Sequence, residues 1–156
     1  MSSEHRKVIA RNRKATFDYH LLESFEAGIA LAGVEIKSIR ASQINLQDGW
    51  VQEREGDLWL MGVHITPYQQ ADRFHTLDPR RPRRLLLHKK EIARIASRAN
   101  ERGLTIVPTM VYLKNGRAKV EIALAKGKQQ HDKRQDIAKR DSDMEIRRAL
   151  RDHRDD

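Results

Sequence analysis

Met110-Val-Tyr-Leu-Lys-Asn-Gly-Arg-Ala-Lys-Val-Glu-Ile-Ala-Leu124 decides the fold. Asn115-Gly116 between two β-prone runs is the signature of a two-residue type I′ hairpin, whose central residues both need positive φ. In that register Val111 pairs with Val120 and Leu113 with Ala118, facing inward. Tyr112 and Lys119 then lie side by side facing outward, and Met110 stands opposite Glu121. A one-residue slip would turn Val120, Ile122 and Leu124 to solvent, so the hydrophobic pattern fixes the pairing.

Other elements extend from this hairpin. Leu104 to Pro108 reads as a strand. Before it, Ile92, Ile95, Ala96 and Ala99 recur at helical spacing, with Gly103 as the C′ stop. His88 and Glu91 imitate a capping box, although His caps poorly. Trp50 to Glu55 and Leu58 to Ile65 flank a Gly56-Asp57 turn. Gly33 to Arg40 reads as a short helix with Ile36 and Ile39 on one face. Phe17 to Leu31 reads as a long or broken strand bent near Gly28. Thr66 to Arg84, with Pro67, Pro79 and Pro82, shows no periodicity and reads as a loop.

The fold class is therefore mainly β with helices. The expected architecture is a small closed OB-like barrel of about six strands with two or three helices; an SH3-like barrel is the runner-up. Three regions are expected: a mobile basic arm over 1–14, the barrel over 15–125, and a charged tail over 126–156. In the tail, Ile137 and Met144 share a helical face while Ile146 and Leu150 fall half a turn away. With no single stripe to dock, it reads as disordered when free and helical when a partner encloses it. The alternative is a solvated charged tail without a role.

Composition narrows the function. Lys and Arg number 31 against 22 Asp and Glu, a net charge of +9 that favours nucleic acid as partner. The chain has no cysteine, which excludes disulfides, thiolate catalysis and Cys-bound zinc. No run suits a membrane span or a secretory signal, so a cytoplasmic, monomeric protein is expected. His64, His75 and His88 lack metal-ligand spacing, and His64 reads as a strand residue. Glu35, Asp48 and Glu53 do not converge by spacing. There is no phosphate-binding loop, dinucleotide fingerprint or nucleophile elbow. No metal, cofactor, small-molecule substrate or catalytic residue is expected.

Candidate binding residues remain. Asn12, Arg13 and Lys14 can reach phosphate and ribose. Arg80-Arg81-Pro82-Arg83-Arg84 places four guanidiniums around one proline, or is simply a solvated loop. Tyr112 beside Lys119 offers a stacking surface next to a charge.

Seven words in order carry a resemblance. They are Asn12-Arg-Lys-Ala15, Phe25-Glu-Ala-Gly28, Val34-Glu-Ile-Lys-Ser-Ile-Arg40, His64-Ile-Thr-Pro67, Arg83-Arg-Leu-Leu-Leu-His88, Lys114-Asn-Gly-Arg-Ala-Lys-Val-Glu121, and Ala125-Lys-Gly-Lys128 followed by His131-Asp-Lys-Arg134. The sequence resembles the SsrA-binding (small protein B) family of bacterial trans-translation. The resemblance implies an OB-fold barrel that grips the tRNA-like domain of transfer-messenger RNA. It further implies a ribosome partner, with the tail helical in the vacant decoding site and mRNA channel. Carried over by motif, RNA contacts fall on Glu26, Leu86 and Lys119, joined by Asn12, Arg13 and Lys14. The tail positions implied are Lys126, Gly127, Lys128, His131, Asp132, Lys133 and Arg134, with Met144 and Ile146 further along the same helix. Here the tail ends Arg-Asp-His-Arg-Asp-Asp, where many family tails stay rich in lysine. The rival reading is a basic β-barrel ribosomal or assembly protein with no rescue role.

Overall fold

A computed structural model describes residues 6–67 and 77–154. The elements are β1 (Arg6–Arg11), α1 (Arg13–Asp18), β2 (Tyr19–Ile29), α2 (Gly33–Arg40), β3 (Ile44–Asn45), β4 (Trp50–Arg54), β5 (Asp57–Met61), β6 (His64–Ile65), β7 (Arg83–Leu86), α3 (Lys89–Arg102), β8 (Thr105–Lys114), β9 (Arg117–Gly127) and α4 (Gln130–Arg154). Six strands close a ring in the order β8-β4-β5-β7-β2-β9 and back to β8. This is the small OB-like barrel the sequence leads one to expect. β1 is added outside the ring, on β8.

The hairpin of β8 and β9 has the expected register: Val111 faces Val120, Tyr112 faces Lys119, and Leu113 faces Ala118. Asn115 and Gly116 take φ of 50° and 78°, as a type I′ turn demands. Val111, Val120 and Ile122 are completely buried. α3 closes the core with Ile92 and Ile95, and α2 adds Ile39. Each such aliphatic side chain contributes about 1.5–3 kcal/mol when taken out of water. α3 stops at Gly103, left-handed at φ 62°, whose N–H caps the Ala99 and Asn100 carbonyls. His88 sits at the N-cap and makes no side-chain bond there. His64 lies in β6, opposite Asn45 of β3.

Several expectations are corrected. Within the expected basic arm, Arg6–Arg11 form a strand and α1 begins at Arg13. β8 extends past its β4 partner, and β1 satisfies the backbone groups of residues 110–114 while Ile9 and Ala10 pack on the core. Arg13 to Asp18 form a helix, so Phe17 is helical and β2 begins at Tyr19. The bend in β2 is a bulge between Leu21 and Glu23, not at Gly28. The β4–β5 turn centres on Glu55 and Gly56, one residue early, both with positive φ. Within the supposed loop, residues 68–76 lie outside the described residues, while Arg83 and Arg84 already belong to β7.

The arginine cluster is not a free phosphate clamp. Arg83 is fully buried; its Nε donates to Glu35 at 2.7 Å and its Nη groups reach the Val63 and Pro79 carbonyls. Arg81 also pairs with Glu35. A buried arginine must be paired and hydrogen-bonded, and α2 supplies the carboxylate. The tail departs too. β9 runs through Lys126 and Gly127, two residues beyond the expected boundary, and α4 is helical from Gln130 to Arg154. Its first turns are held by α1 and β2, which offer Asp18 and His20 as partners.

Candidate nucleic-acid interface

The outer face of the barrel follows from the register. Val8, Tyr112, Lys119, Gly28 and Leu86 are successive cross-strand partners over β1, β8, β9, β2 and β7. Directly opposed residues on antiparallel strands share a face, so this row lies on one surface. The neighbouring row sets Glu26 opposite Glu121. Together they border an open groove of about 680 Å³ lined by Glu26, Gly28, Leu86 and Lys119, with Arg84 and His88 beside them. Gly28 is tightly approached: a Cβ there would stand 3.1 Å from that of Leu86, so the half-exposed Leu86 would have to give way by a few tenths of an ångström.

The chemistry of the groove is mixed by design of the register. Leu86 is 48% exposed, an apolar surface for a base or ribose. Lys119 brings a cation. Glu26 brings an anion, held below the usual carboxylate range chiefly by the hydroxyl of Tyr112, and also by Lys114 at 3.3 Å; partial burial opposes this. Burial, then Glu26, push the Tyr112 hydroxyl well above its ordinary value, so it stays a donor.

The structure thus brings Glu26, Leu86 and Lys119 together, although 60 and then 33 positions separate them along the chain. Tyr112 points to the expected face but is 1% exposed. The Arg6 guanidinium lies 3.8 Å above its ring, and Glu26 takes its hydroxyl. It is no free stacking platform. Composition and alternation do not reveal this cover, because it depends on how β1 and β2 pair.

Asn12, expected among the RNA contacts, is buried in the structure. Its amide donates to the Leu46 and Pro108 carbonyls at 3.1 and 2.8 Å, and its oxygen accepts from Ala15 N–H at 3.1 Å. It caps α1 and pins β1 to the barrel. Arg13 and Lys14 are exposed on α1 but do not line the groove; Lys14 lies 3.7 Å from Asp48.

Among the tail positions, Lys126 and Gly127 are exposed at the end of β9. Lys128 is engaged, donating to the Thr16 carbonyl at 3.1 Å and pairing with Asp136. Asp132 lies 3.4 Å from His20. Lys133 pairs with Asp18 at 3.1 Å and stands over the Phe17 ring. Arg134, Met144 and Ile146 are exposed, while the His131 side chain lies outside the described residues. Sequence reasoning missed Phe17, Asp18 and His20 as the tail's dock, having placed Phe17 in a strand.

Among the described residues no group of three His, Asp or Glu side chains could hold a metal, and no helix is long and apolar enough to cross a membrane. A closed barrel with an open, charged groove defines the class: a β-barrel binding domain suited to an extended polar ligand rather than an enclosed small molecule. The chain belongs to the SmpB family, whose model matches residues 9–152. It is 53% identical to the SsrA-binding protein of Carboxydothermus hydrogenoformans, covering 93% of this chain and 97% of that one. It is 54% identical to the SsrA-binding protein of Ligilactobacillus salivarius, covering 94% of each. Among solved structures, a chain from "tmRNA-SmpB: a journey to the center of the bacterial ribosome" superposes with a TM-score of 0.65 at 42% identity, covering 78% of this chain and 85% of that one.

Proposed function

We propose that this protein binds transfer-messenger RNA and delivers it to stalled ribosomes for trans-translation, without a catalytic step of its own. The observation that carries the reading is the convergence of Glu26, Leu86 and Lys119 on one groove of a chain belonging to the SmpB family. The chemistry suits RNA better than a uniform polyanion. Lys119 can neutralise a phosphate, Leu86 can pack on an unstacked base, and an ionised Glu26 repels phosphate but accepts from base amino groups or a 2′-hydroxyl. α4 then occupies the vacant decoding site and mRNA channel, presenting Lys133, Arg134 and the exposed Met144 and Ile146. The working compartment is the cytoplasm, where ribosomes stall.

RNA extracted from the purified protein and sequenced should be dominated by one small stable species. Recovery of bulk ribosomal RNA alone would favour a structural ribosomal role instead. Replacing Lys119 with Ala should weaken binding to the tRNA-like domain by roughly 1–2 kcal/mol, the worth of one charge-assisted contact. Unchanged affinity in a folded Lys119→Ala variant would remove the groove from the site.

A further inference from the structure

Tyr112 does not line the groove, yet its hydroxyl is bonded to Glu26, one of the acids that do. We infer that Tyr112 is a positioning residue for RNA binding: seated under Arg6 of β1, it fixes the orientation of the Glu26 carboxylate at the groove. This rests on the reading of the groove as the RNA site.

The geometry supports it from three sides. Tyr112 cannot turn away, since its ring is 1% exposed and the Arg6 guanidinium packs 3.8 Å from its centroid. Its hydroxyl donates to one Glu26 oxygen, Oε2, while Lys114 Nζ donates to the other, Oε1, at 3.3 Å. Both anchors come from β8, and each carboxylate oxygen keeps further lone pairs for a ligand. The charged groups near the acid are Lys114 on β8, Lys119 and the opposed Glu121 on β9, and Asp57, Arg84, Lys89, Glu91 and the imidazole of His88 along the groove, while Arg6 on β1 acts on Tyr112. Orientation matters because Glu26 is 39% exposed, and an exposed carboxylate without a fixed anchor samples several rotamers. Freezing it in advance removes that entropy cost from binding. The groove thereby presents one acceptor at a fixed place. β1 becomes part of the site without contacting the ligand.

The test is a double-mutant cycle with Tyr112→Phe and Glu26→Ala, reading the Kd for the in vitro transcribed tRNA-like domain. Phe keeps the ring beneath Arg6, so the barrel should fold, and thermal unfolding checks this. Tyr112→Phe should weaken binding roughly three- to tenfold, the scale of one lost hydrogen bond. Glu26→Ala should weaken it too, and the double variant should bind like Glu26→Ala alone. In the free protein, carbon-detected NMR titration of the Glu26 carboxyl should move to higher pH in Tyr112→Phe, a change that general loosening would not confine to this acid. Additive losses, or full affinity in Tyr112→Phe, would overturn the positioning role while leaving the groove intact. If Glu26→Ala binds as the parent does, the groove reading fails and the role with it, whatever the titration shows of the pair.

Discussion

Replacing Asn12 with Ala would remove the amide that bridges the Leu46 and Pro108 carbonyls and take the cap from α1 at once, although the Leu46 carbonyl keeps the Gly49 N–H. Losing an Asn cap costs about 0.5–2 kcal/mol, and each lost hydrogen bond about 0.5–1.5 kcal/mol. Asn12→Ala should therefore lower the free energy of unfolding by an amount of that order, seen as an earlier urea midpoint, before any effect on RNA is seen. Glu35 offers a pH signature. Burial would raise its carboxyl, but bonds from Arg81, the Ala32 N–H and Arg83 prevail, so its value in the folded state is depressed. A depressed carboxylate contributes stability in full above its unfolded value of about 4.3, and that contribution is lost as pH falls through the lower folded value. Urea unfolding of the parent should weaken below about pH 4.3 more steeply than that of Glu35→Gln, which is less stable at neutral pH. Equal slopes would mean that Glu35 carries no such linkage. Asn12 and Arg83 look surface-bound in the sequence because their types are usually exposed. Only the packing of distant segments shows them inside, and a single chain read by residue type has no access to that.

Where periodicity and turn chemistry agree, elements are legible: the Asn115-Gly116 hairpin, and α3 with its Gly103 stop, follow from local rules alone. β1 is not legible in this way, since Arg6-Lys-Val-Ile-Ala-Arg11 is short and basic and becomes a strand only because β8 needs a partner. The site divides likewise. Glu26, Leu86 and Lys119 come from motif words, but their meeting in one groove depends on the β2–β9 and β2–β7 registers. The tail is the sharpest case. Its scattered apolar residues promise no docking, and none of Ile137, Met144, Ile146 or Leu150 is buried. Polar contacts do the docking instead, through Lys133 with Asp18 and Lys128 with Thr16. Truncation after Lys128 should leave β9 and the barrel folded, with RNA affinity largely kept, while peptide tagging on stalled ribosomes collapses. Met144→Pro should reduce the helical circular-dichroism signal of the free protein, because an interior proline costs about 3 kcal/mol in a helix. An unchanged spectrum would mean that the free tail is not helical around residue 144.

At the scale of the whole molecule, charge is unevenly spread. The tail from Lys126 to Asp156 holds ten Lys and Arg against eight Asp and Glu, a net of +2, so +7 of the +9 total lies before it. Binding of the free RNA should accordingly fall linearly with the logarithm of salt concentration, and truncation after Lys128 should leave that slope nearly unchanged. A slope that flattens on truncation would move the electrostatic grip onto the tail.

The closed ring has a consequence for life in a crowded cell. Among the described residues, β1 is the one strand of the seven in the large sheet that pairs on a single side, so its outer margin is where a foreign strand could add. That margin is short, and Arg6, Lys7 and Arg11 on it are exposed. Two copies meeting there edge to edge would set like charges against each other while stripping them of water, a penalty that disfavours strand addition. The same cations that make the protein basic thus guard it against polymerising with itself. Exchanging Lys7 and Arg11 for threonine should leave the barrel folded and raise its self-association, read by sedimentation at high concentration against the parent.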